Sequence, residues 1–181
     1  MSGSKTVVTI GMMLIASLLV SCAGGGPGGS GFSTYRDGLF KGEDHLLNGE
    51  YQPAIDEFLR ANGGDPTQPM PLALAGQAAY NMGDLAQASR YLSQALAVKS
   101  DSNAYVIVKG YQALIAFKEN RRREGLEALG EYVRAYRVSY PENTYFDVER
   151  MYKTEDIVLP ELERMLTDQI ARYEKELFEF F

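Results

Sequence analysis

The chain has 181 residues, a net charge of -6 and a sequence pI near 4.9. Nucleic-acid binding needs a basic surface that pairs with phosphates, so this acidic balance disfavours a nucleic-acid partner. The single cysteine excludes an internal disulfide, while a hydrophobic content of 45% is enough to form a core.

The first 21 residues are typical of a secretion leader, with a short polar start followed by the apolar run TVVTIGMMLIASLLV. This run is too short for a comfortable membrane span. It ends in Leu19-Val20-Ser21-Cys22, which resembles the lipobox of bacterial lipoproteins. In that family the cysteine sulfur first receives a diacylglycerol, the leader is then cut before the cysteine, and the new amine is acylated last. The resemblance implies a signal peptide over residues 1–21 and a lipidated Cys22.

Two other interpretations of the leader stay open. The small residues around Cys22 also fit ordinary signal peptidase, which would release a soluble secreted protein, or the leader could remain as an anchor. Lipidation is favoured because the only cysteine lies where this chemistry requires it. Three acyl chains at about 0.8 kcal/mol per buried CH₂ would anchor the protein stably. In enterobacterial lipoproteins an aspartate after the cysteine directs retention at the inner membrane, so Ala23 favours the outer membrane.

Residues 22–33 are predicted to contain the lipidated cysteine and a Gly-rich tether. Residues 23–31 read AGGGPGGSG, a composition typical of flexible linkers. The folded part is therefore expected to begin at residue 34.

A 34-residue period runs through the centre of the chain. The residues that recur at this spacing are Gly42, Gly76 and Gly110, and Ala54 and Ala88. A large apolar residue follows each of these alanines after four residues and another alanine follows after seven, so the three share one helical face. Gly49 and Gly83 mark tight turns between helices.

This pattern resembles the tetratricopeptide repeat, a pair of antiparallel helices in which small residues let the helix axes approach closely. Two clear repeats are expected over Tyr35–Gln68 and Pro69–Ser102. The third is degenerate, because the small residue after Gly110 is Gly125, which comes fifteen residues later instead of twelve. A first helix longer by about one turn explains this shift. The chain is thus predicted to be all-α, with helix-turn-helix repeats over residues 34–140.

The period is lost after residue 140, and residues 141–181 are predicted to form C-terminal capping helices. A short helix is expected over Thr144–Lys153, and Pro160 fits the first turn of the next helix. An apolar stripe follows the second helix and consists of Leu162, Leu166, Tyr173 and Leu177. Repeat arrays need end units that cover their last exposed face, so the tail is expected to cap the array.

The sequence holds no catalytic signature. His45 is the only histidine, and its repeat position is normally a packed one, so it is interpreted as a core residue. A metal site needs three or four ligands, which this sequence does not place together. No Gly-rich phosphate loop follows a strand pattern, and no Ser-His-Asp signature occurs. The protein is therefore predicted to be a non-enzyme without cofactor or metal.

The resemblance implies a partner-binding groove, because the first helices of tetratricopeptide repeats line a concave surface. The polar and aromatic residues at the inward positions are Arg36, Glu43, Gln77, Tyr80, Asn81 and Tyr111. Some family members hold a peptide carboxylate with Lys, Arg and Asn at these positions. Glu43, Gln77 and Tyr111 share position 9 here and do not support that clamp.

Three other surfaces compete with the groove. Tyr132, Tyr136 and Tyr140 step by four along one face, which fits either a peptide groove or core packing. The basic cluster Arg121-Arg122-Arg123 is either a solvated corner or a contact for anionic lipid or an acidic partner. An aromatic patch at the C-terminal end would consist of Phe178, Phe180 and Phe181.

Together these features predict a lipid-anchored protein at the periplasmic face of a bacterial outer membrane. It is expected to bind envelope proteins as a scaffold and to help assemble or localise an envelope complex, such as the secretin of a pilus or secretion system. The alternative is an adaptor that regulates peptidoglycan hydrolases or outer-membrane protein assembly, and an enzyme is disfavoured.

Replacing Cys22 with serine tests the leader interpretation. Because lipidation requires the thiol, Cys22→Ser is expected to abolish fatty-acid labelling and to leave the uncut precursor, which metabolic labelling and gel mobility will detect. Labelling that survives the substitution would contradict the lipobox assignment.

Overall fold

The computed structural model describes residues 29–98, 104–140 and 146–179. Cys22 and the leader lie outside these residues. Within the described ranges the backbone forms α1 (Gly29–Leu47), α2 (Tyr51–Gly64), α3 (Met70–Met82), α4 (Leu85–Ala97), α5 (Ala104–Lys118), α6 (Arg122–Ser139), α7 (Phe146–Thr154) and α8 (Leu159–Glu179). None of these helices is long and apolar enough to cross a membrane.

The first six helices form three antiparallel hairpins, α1/α2, α3/α4 and α5/α6, which stack in chain order. The corners of the hairpins share one hydrogen-bond pattern, in which a backbone N–H donates to the carbonyl five residues earlier. These bonds are Glu50 to His45 at 2.8 Å, Asp84 to Ala79 at 3.0 Å and Arg121 to Ala116 at 2.8 Å. The pattern is a Schellman motif, which ends a helix with a residue of positive φ.

The third corner confirms that the first helix of this repeat ends later than the 34-residue period alone would place it. Positive φ occurs at Gly49 (74°) and Gly83 (90°) in the first two corners, and at Asn120 (58°) in the third. Asn120 lies three residues beyond the position expected from the period, where Phe117 stands. Asparagine tolerates the left-handed region better than other side chains do. Gly125 shifts by the same three residues, and a Cβ atom there would lie 2.8 Å from the Phe117 ring.

The small residues at the repeat period lie where the paired helices meet. A Cβ atom added to Gly76 would lie 2.7 Å from the Leu92 side chain, and one added to Gly42 would overlap the Phe58 ring. Ala88 and its counterpart Ala54 are fully buried. The predicted register of the first two repeats is thereby confirmed.

The predicted tether is too long, because α1 begins at Gly29 rather than at residue 34. Gly31 lies against the end of α2, where an added Cβ would be 2.8 Å from the Gly64 carbonyl oxygen. An added Cβ on Gly64 would in turn lie 2.6 Å from the Tyr35 backbone nitrogen. These glycines therefore allow the ends of two helices to pack closely, a role that composition alone does not distinguish from that of a linker.

The tail contains both predicted helices, and both pack on the last repeat. Gly130 of α6 faces the Tyr152 ring of α7, with an added Cβ 2.7 Å from the Tyr152 hydroxyl oxygen. Pro160 occupies the first turn of α8, as predicted. However, α8 extends along α5 and reaches the earlier repeats. The helix α8 therefore covers more than the last repeat, since it also contacts α3 and α1.

Overpacking the interior of the second repeat tests the register. Ala88→Leu is expected to lower the free energy of unfolding by roughly 1–3 kcal/mol, because Ala88 has no exposed surface and no room for three more carbons. Urea unfolding will measure the change. Ala86→Leu is the matched control, since Ala86 is exposed on the same helix, and it should change stability by less than about 0.5 kcal/mol. Equal losses for both variants would contradict the assigned register.

Candidate functional site

The candidate site is the inner face of the repeats, formed by α1, α3 and α5 and covered in large part by α8. Side chains of all three helices contact α8. Gln77 of α3 donates a hydrogen bond to Glu174, and the Phe40 ring of α1 lies 5.9 Å from the Phe178 ring. On α5, an added Cβ at Gly110 would lie 2.6 Å from the Ile170 side chain. The missing side chain of Gly110 therefore lets α8 approach α5 closely.

The structure places three of the six predicted groove residues beneath α8. Gln77, Tyr80 and Tyr111 are 6%, 5% and 2% exposed, respectively. The Tyr80 and Tyr111 rings meet edge-to-face with centroids 5.1 Å apart. These three residues do belong to one continuous surface, but that surface is not open, because α8 occupies it.

Arg36, Glu43 and Asn81 form the other half of the predicted set and are not buried beneath α8, although the charge of Glu43 acts on Glu174. Arg36 and Asn81 are exposed, and Glu43 is half-buried. Phe32 and Phe40 lie one turn to either side of Arg36 on α1 and are 63% and 36% exposed. We call the exposed residues of these helices that α8 does not contact, Phe32, Arg36 and Asn81, the open rim. The binding role of the six predicted residues stays a prediction.

A cluster of Tyr80, Glu163 and Lys118 holds the first half of α8. The Tyr80 hydroxyl donates to Glu163 Oε1 at 2.6 Å, and Lys118 Nζ lies 2.7 Å from the same oxygen. Lys118 Nζ is also 4.7 Å from the centre of the Tyr80 ring. Burial raises the pKa of Glu163, but hydrogen bonds from Lys118 and Tyr80 outweigh it and hold that pKa below its ordinary value. Glu163 is therefore an ionised anchor in the middle of the pH range.

A second polar cluster holds the other half of α8, and there the pKa of the glutamate is raised instead of lowered. Gln77 Nε2 donates to Glu174 Oε2 at 3.1 Å. Burial raises the pKa of Glu174 to about 8, with a further contribution from the negative charge of Glu43. Burial, together with neighbouring Asp44, raises the pKa of Glu43 to about 7. The charge of Glu43 on α1 thus disfavours the charged form of Glu174 on α8.

The row of tyrosines on α6 packs against α8, which supports the core interpretation of these residues. Tyr132 and Tyr136 are buried with ring centroids 5.6 Å apart, and Tyr136 lies 4.8 Å from Tyr140. The Tyr132 hydroxyl donates to Gln169 Oε1 at 2.8 Å. Tyr140 continues the row to Tyr173, with centroids 6.1 Å apart.

The other candidates from the sequence lie at hairpin corners. His45 is half-buried at the first corner, where its Nδ1 contacts the Glu50 carboxylate, so the expected core position is wrong. Arg121 pairs with Glu119 and Glu124 at the third corner. Arg122 donates to a backbone carbonyl beyond α7. Of the aromatic patch predicted at the C-terminal end, only Phe178 lies within the described residues.

A polar cleft of about 360 Å³ lies between α4, α5 and α6. Lys109 in its wall lies 2.5 Å from Glu131, and Arg121 pairs with Glu124. Both of these lining cations are thus neutralised by carboxylates of α6. Across the described part of the chain, no three His, Cys, Asp or Glu residues are grouped so that they could hold a metal ion.

Sequence reasoning missed the polar residues of α8 that contact the inner face. It found the apolar stripe of α8 but left out Glu163, Gln169 and Glu174, which lie between or beside the stripe residues. A buried polar residue within such a stripe requires a hydrogen-bond partner, so these residues could have indicated that α8 packs against a partly polar surface. The partner helices could not be found this way, because periodicity identifies a buried face but not what covers it.

No protein-family model and no curated protein matches the chain. Solved structures do match it. The Arabidopsis OM64 TPR domain has a TM-score of 0.56 at 13% identity and covers 69% of this chain and 98% of its own. The first TPR of Spaghetti (RPAP3) bound to the HSP90 peptide SRMEEVD has a TM-score of 0.54 at 17% identity and covers 75% and 94%. The Sgt2 TPR domain from Aspergillus fumigatus has a TM-score of 0.53 at 18% identity and covers 78% and 80%.

At these identities the similarity shows the fold alone. The described residues form an all-α domain of the tetratricopeptide type, in which eight helices include three stacked hairpins. The predicted fold class is confirmed.

Removing one buried hydroxyl tests the contact between α6 and α8. Tyr132→Phe is expected to cost about 1–3 kcal/mol of unfolding free energy, because Gln169 Oε1 loses its donor in a buried position. Tyr105→Phe is the control, since the exposed Tyr105 hydroxyl donates to Glu131 and its loss can be replaced by water. Urea unfolding of both variants will compare them, and a loss for Tyr105→Phe as large as that for Tyr132→Phe would contradict the assigned bond.

Proposed function

We propose that this protein is a scaffold that binds other proteins through the inner face of its repeats. The observation that carries the proposal is α8 itself, because a 21-residue amphipathic helix already lies on this face. The face holds that helix through apolar contacts at Gly110 and polar contacts at Gln77 and Tyr80. Such a combination of an apolar groove and fixed polar positions is a common mode of recognising helical segments.

The charge of the face limits the partner segment. The similar domain of Spaghetti (RPAP3) is bound to the HSP90 peptide SRMEEVD, which contains three acidic residues. In this chain the inward positions that would have to pair with such charges hold Glu43, Gln77 and Tyr111, none of which is a cation. An acidic peptide would gain no ion pair at these positions. The segment that binds here should be neutral or basic, with an apolar side chain that packs on the exposed Phe32.

We further propose that the protein acts at the periplasmic face of a bacterial outer membrane, anchored by lipid on Cys22. The leader, the lipobox resemblance and Ala23 support this location. Residues 23–28 separate Cys22 from α1 and span at most about 20 Å when fully extended. A short connection of this kind would keep the open rim near the membrane, where the protein helps to assemble or localise an envelope complex such as the secretin of a pilus or secretion system.

Site-specific photo-cross-linking in the intact cell envelope tests both parts of the proposal. A photoreactive residue at Arg36 or Asn81 is expected to give a discrete adduct with an envelope protein, because both positions are exposed on the open rim. Arg60 is the matched control, since it is an exposed arginine on α2. Mass spectrometry of the adduct identifies the partner.

The outcomes separate the hypotheses. A secretin or another component of an envelope assembly supports the proposal, whereas a peptidoglycan hydrolase supports the adaptor alternative. Adducts of equal yield at Arg60 and Arg36 would contradict the inner face as the binding surface.

A further inference from the structure

The contact between α8 and α3 contains buried polar groups that lack partners. Gln77 and Glu174 are only 6% and 9% exposed. One hydrogen bond joins them, from Gln77 Nε2 to Glu174 Oε2, but Oε1 of each residue has no hydrogen-bond partner within the described part of the chain. Glu174 also forms no ion pair with any described residue. An ionised carboxylate buried in this way is strongly disfavoured.

A proton on Glu174 removes the buried charge and also supplies a donor for the unpartnered oxygen of Gln77. A neutral carboxylic acid has an O–H donor. Gln77 Oε1, on the same amide group that already donates to Glu174, is an acceptor that lacks a donor. The acid and the amide can then form two hydrogen bonds instead of one. Removing the charge also ends the repulsion between Glu174 and Glu43.

We propose that α8 is a proton-controlled lid on the inner face, held closed by Glu174 as the neutral acid and loosened when Glu174 and Glu43 are both ionised. Opening would uncover Gln77, Tyr80 and Tyr111. The lid is a property of this chain alone, and only its use in partner binding rests on the proposed function.

The groups that face Glu174 come from each helix of the inner face. They are Glu43 of α1, Gln77 of α3 and Tyr111 of α5. The helices α6 and α7 place their polar groups elsewhere: Tyr132 and Tyr140 contact Gln169 and Glu176, and Glu149 pairs with Arg137 and Lys153. Within the described residues, therefore, the nearby charge that acts on Glu174 is that of Glu43.

The direction of the pH effect follows from the raised pKa values. Once α8 leaves the face, Glu174 becomes exposed and its pKa returns toward the ordinary value of 4.5 from about 8. The stabilisation that its proton provides is thus complete below pH 4.5 and is lost as the pH rises through about 8. Glu43, whose pKa is raised to about 7, acts in the same direction because its charge repels ionised Glu174. Glu163 acts in the opposite direction, but only below its ordinary value of 4.5, where its lowered pKa lies.

Hydrogen exchange of the full chain purified in detergent tests the lid without any partner. After correction for the intrinsic exchange rate, protection of the α8 amides should fall by up to about tenfold per pH unit for each proton released between about pH 4.5 and pH 8. Glu174→Gln replaces the neutral acid with a neutral amide of similar shape that also carries a donor. The α8 helix of this variant should therefore stay protected at high pH and show a much smaller pH dependence. The matched control is Glu179→Gln, an exposed position on the same helix, which should behave as wild type.

The amides of α4 serve as the internal reference, because that helix lies outside the contact with α8. The lid is overturned if wild-type α8 protection does not fall with pH, if α4 opens together with α8, or if Glu174→Gln is less protected than wild type near pH 8. Loss of α4 protection in Glu174→Gln would also overturn the lid, because a neutral residue at position 174 must allow α8 to pack on an intact domain. Glu43→Gln should give an intermediate pH dependence. These readouts are independent of cross-linking, so failure of the lid and failure of the proposed function are distinguishable.

Discussion

The missing side chains of three glycines, one in each repeat, set the distance between the helices on which the rest of the structure depends. Gly42 and Gly76 leave space that Phe58 and Leu92 fill from the second helix of the same hairpin. Gly110 does the same for the Tyr132 ring, but it also receives Ile170 from α8. One absent Cβ in the third repeat therefore serves two interfaces, which explains why the tail helix can lie so close to α5.

Much of the fold could be predicted because its main contacts are local in sequence. Small and large residues that recur at a fixed period specify each hairpin, and the three-residue shift of Gly125 predicts that α5 extends past this period before Asn120 terminates it. The position of α8 could not be predicted in this way. Its apolar stripe specified a buried face, yet the partners of Glu174 and Gln169 lie in distant parts of the chain. The glycines before Tyr35 were misinterpreted because a flexible tether and a close helix contact both require an absent side chain.

The interior of this domain has two chemical characters. Within the stacked hairpins the core is apolar and includes fully buried residues such as Leu74, Leu92 and Ile107. Between α8 and the inner face, tyrosine hydroxyls, amides and carboxyl groups contribute alongside the apolar residues. Buried polar networks stabilise a structure strongly when every member is satisfied and weakly when some are not. The contact of α8 is therefore the place where this domain is expected to open at the lowest free energy, while the hairpins remain intact.

The position of α8 at the end of the chain affects the order in which the structure can form. The bond between Gln77 and Glu174 joins residues 97 positions apart, whereas the contacts within each hairpin join residues on adjacent helices. Contacts between near neighbours in sequence form faster than distant ones, because less chain entropy is lost in closing them. As the chain emerges from its amino-terminal end, the hairpins can be complete before residues 159–179 are available. A newly made molecule therefore passes through a stage in which Tyr80 and Tyr111 face solvent. During this stage a protein that binds the inner face meets an uncovered surface, and only later must it displace α8.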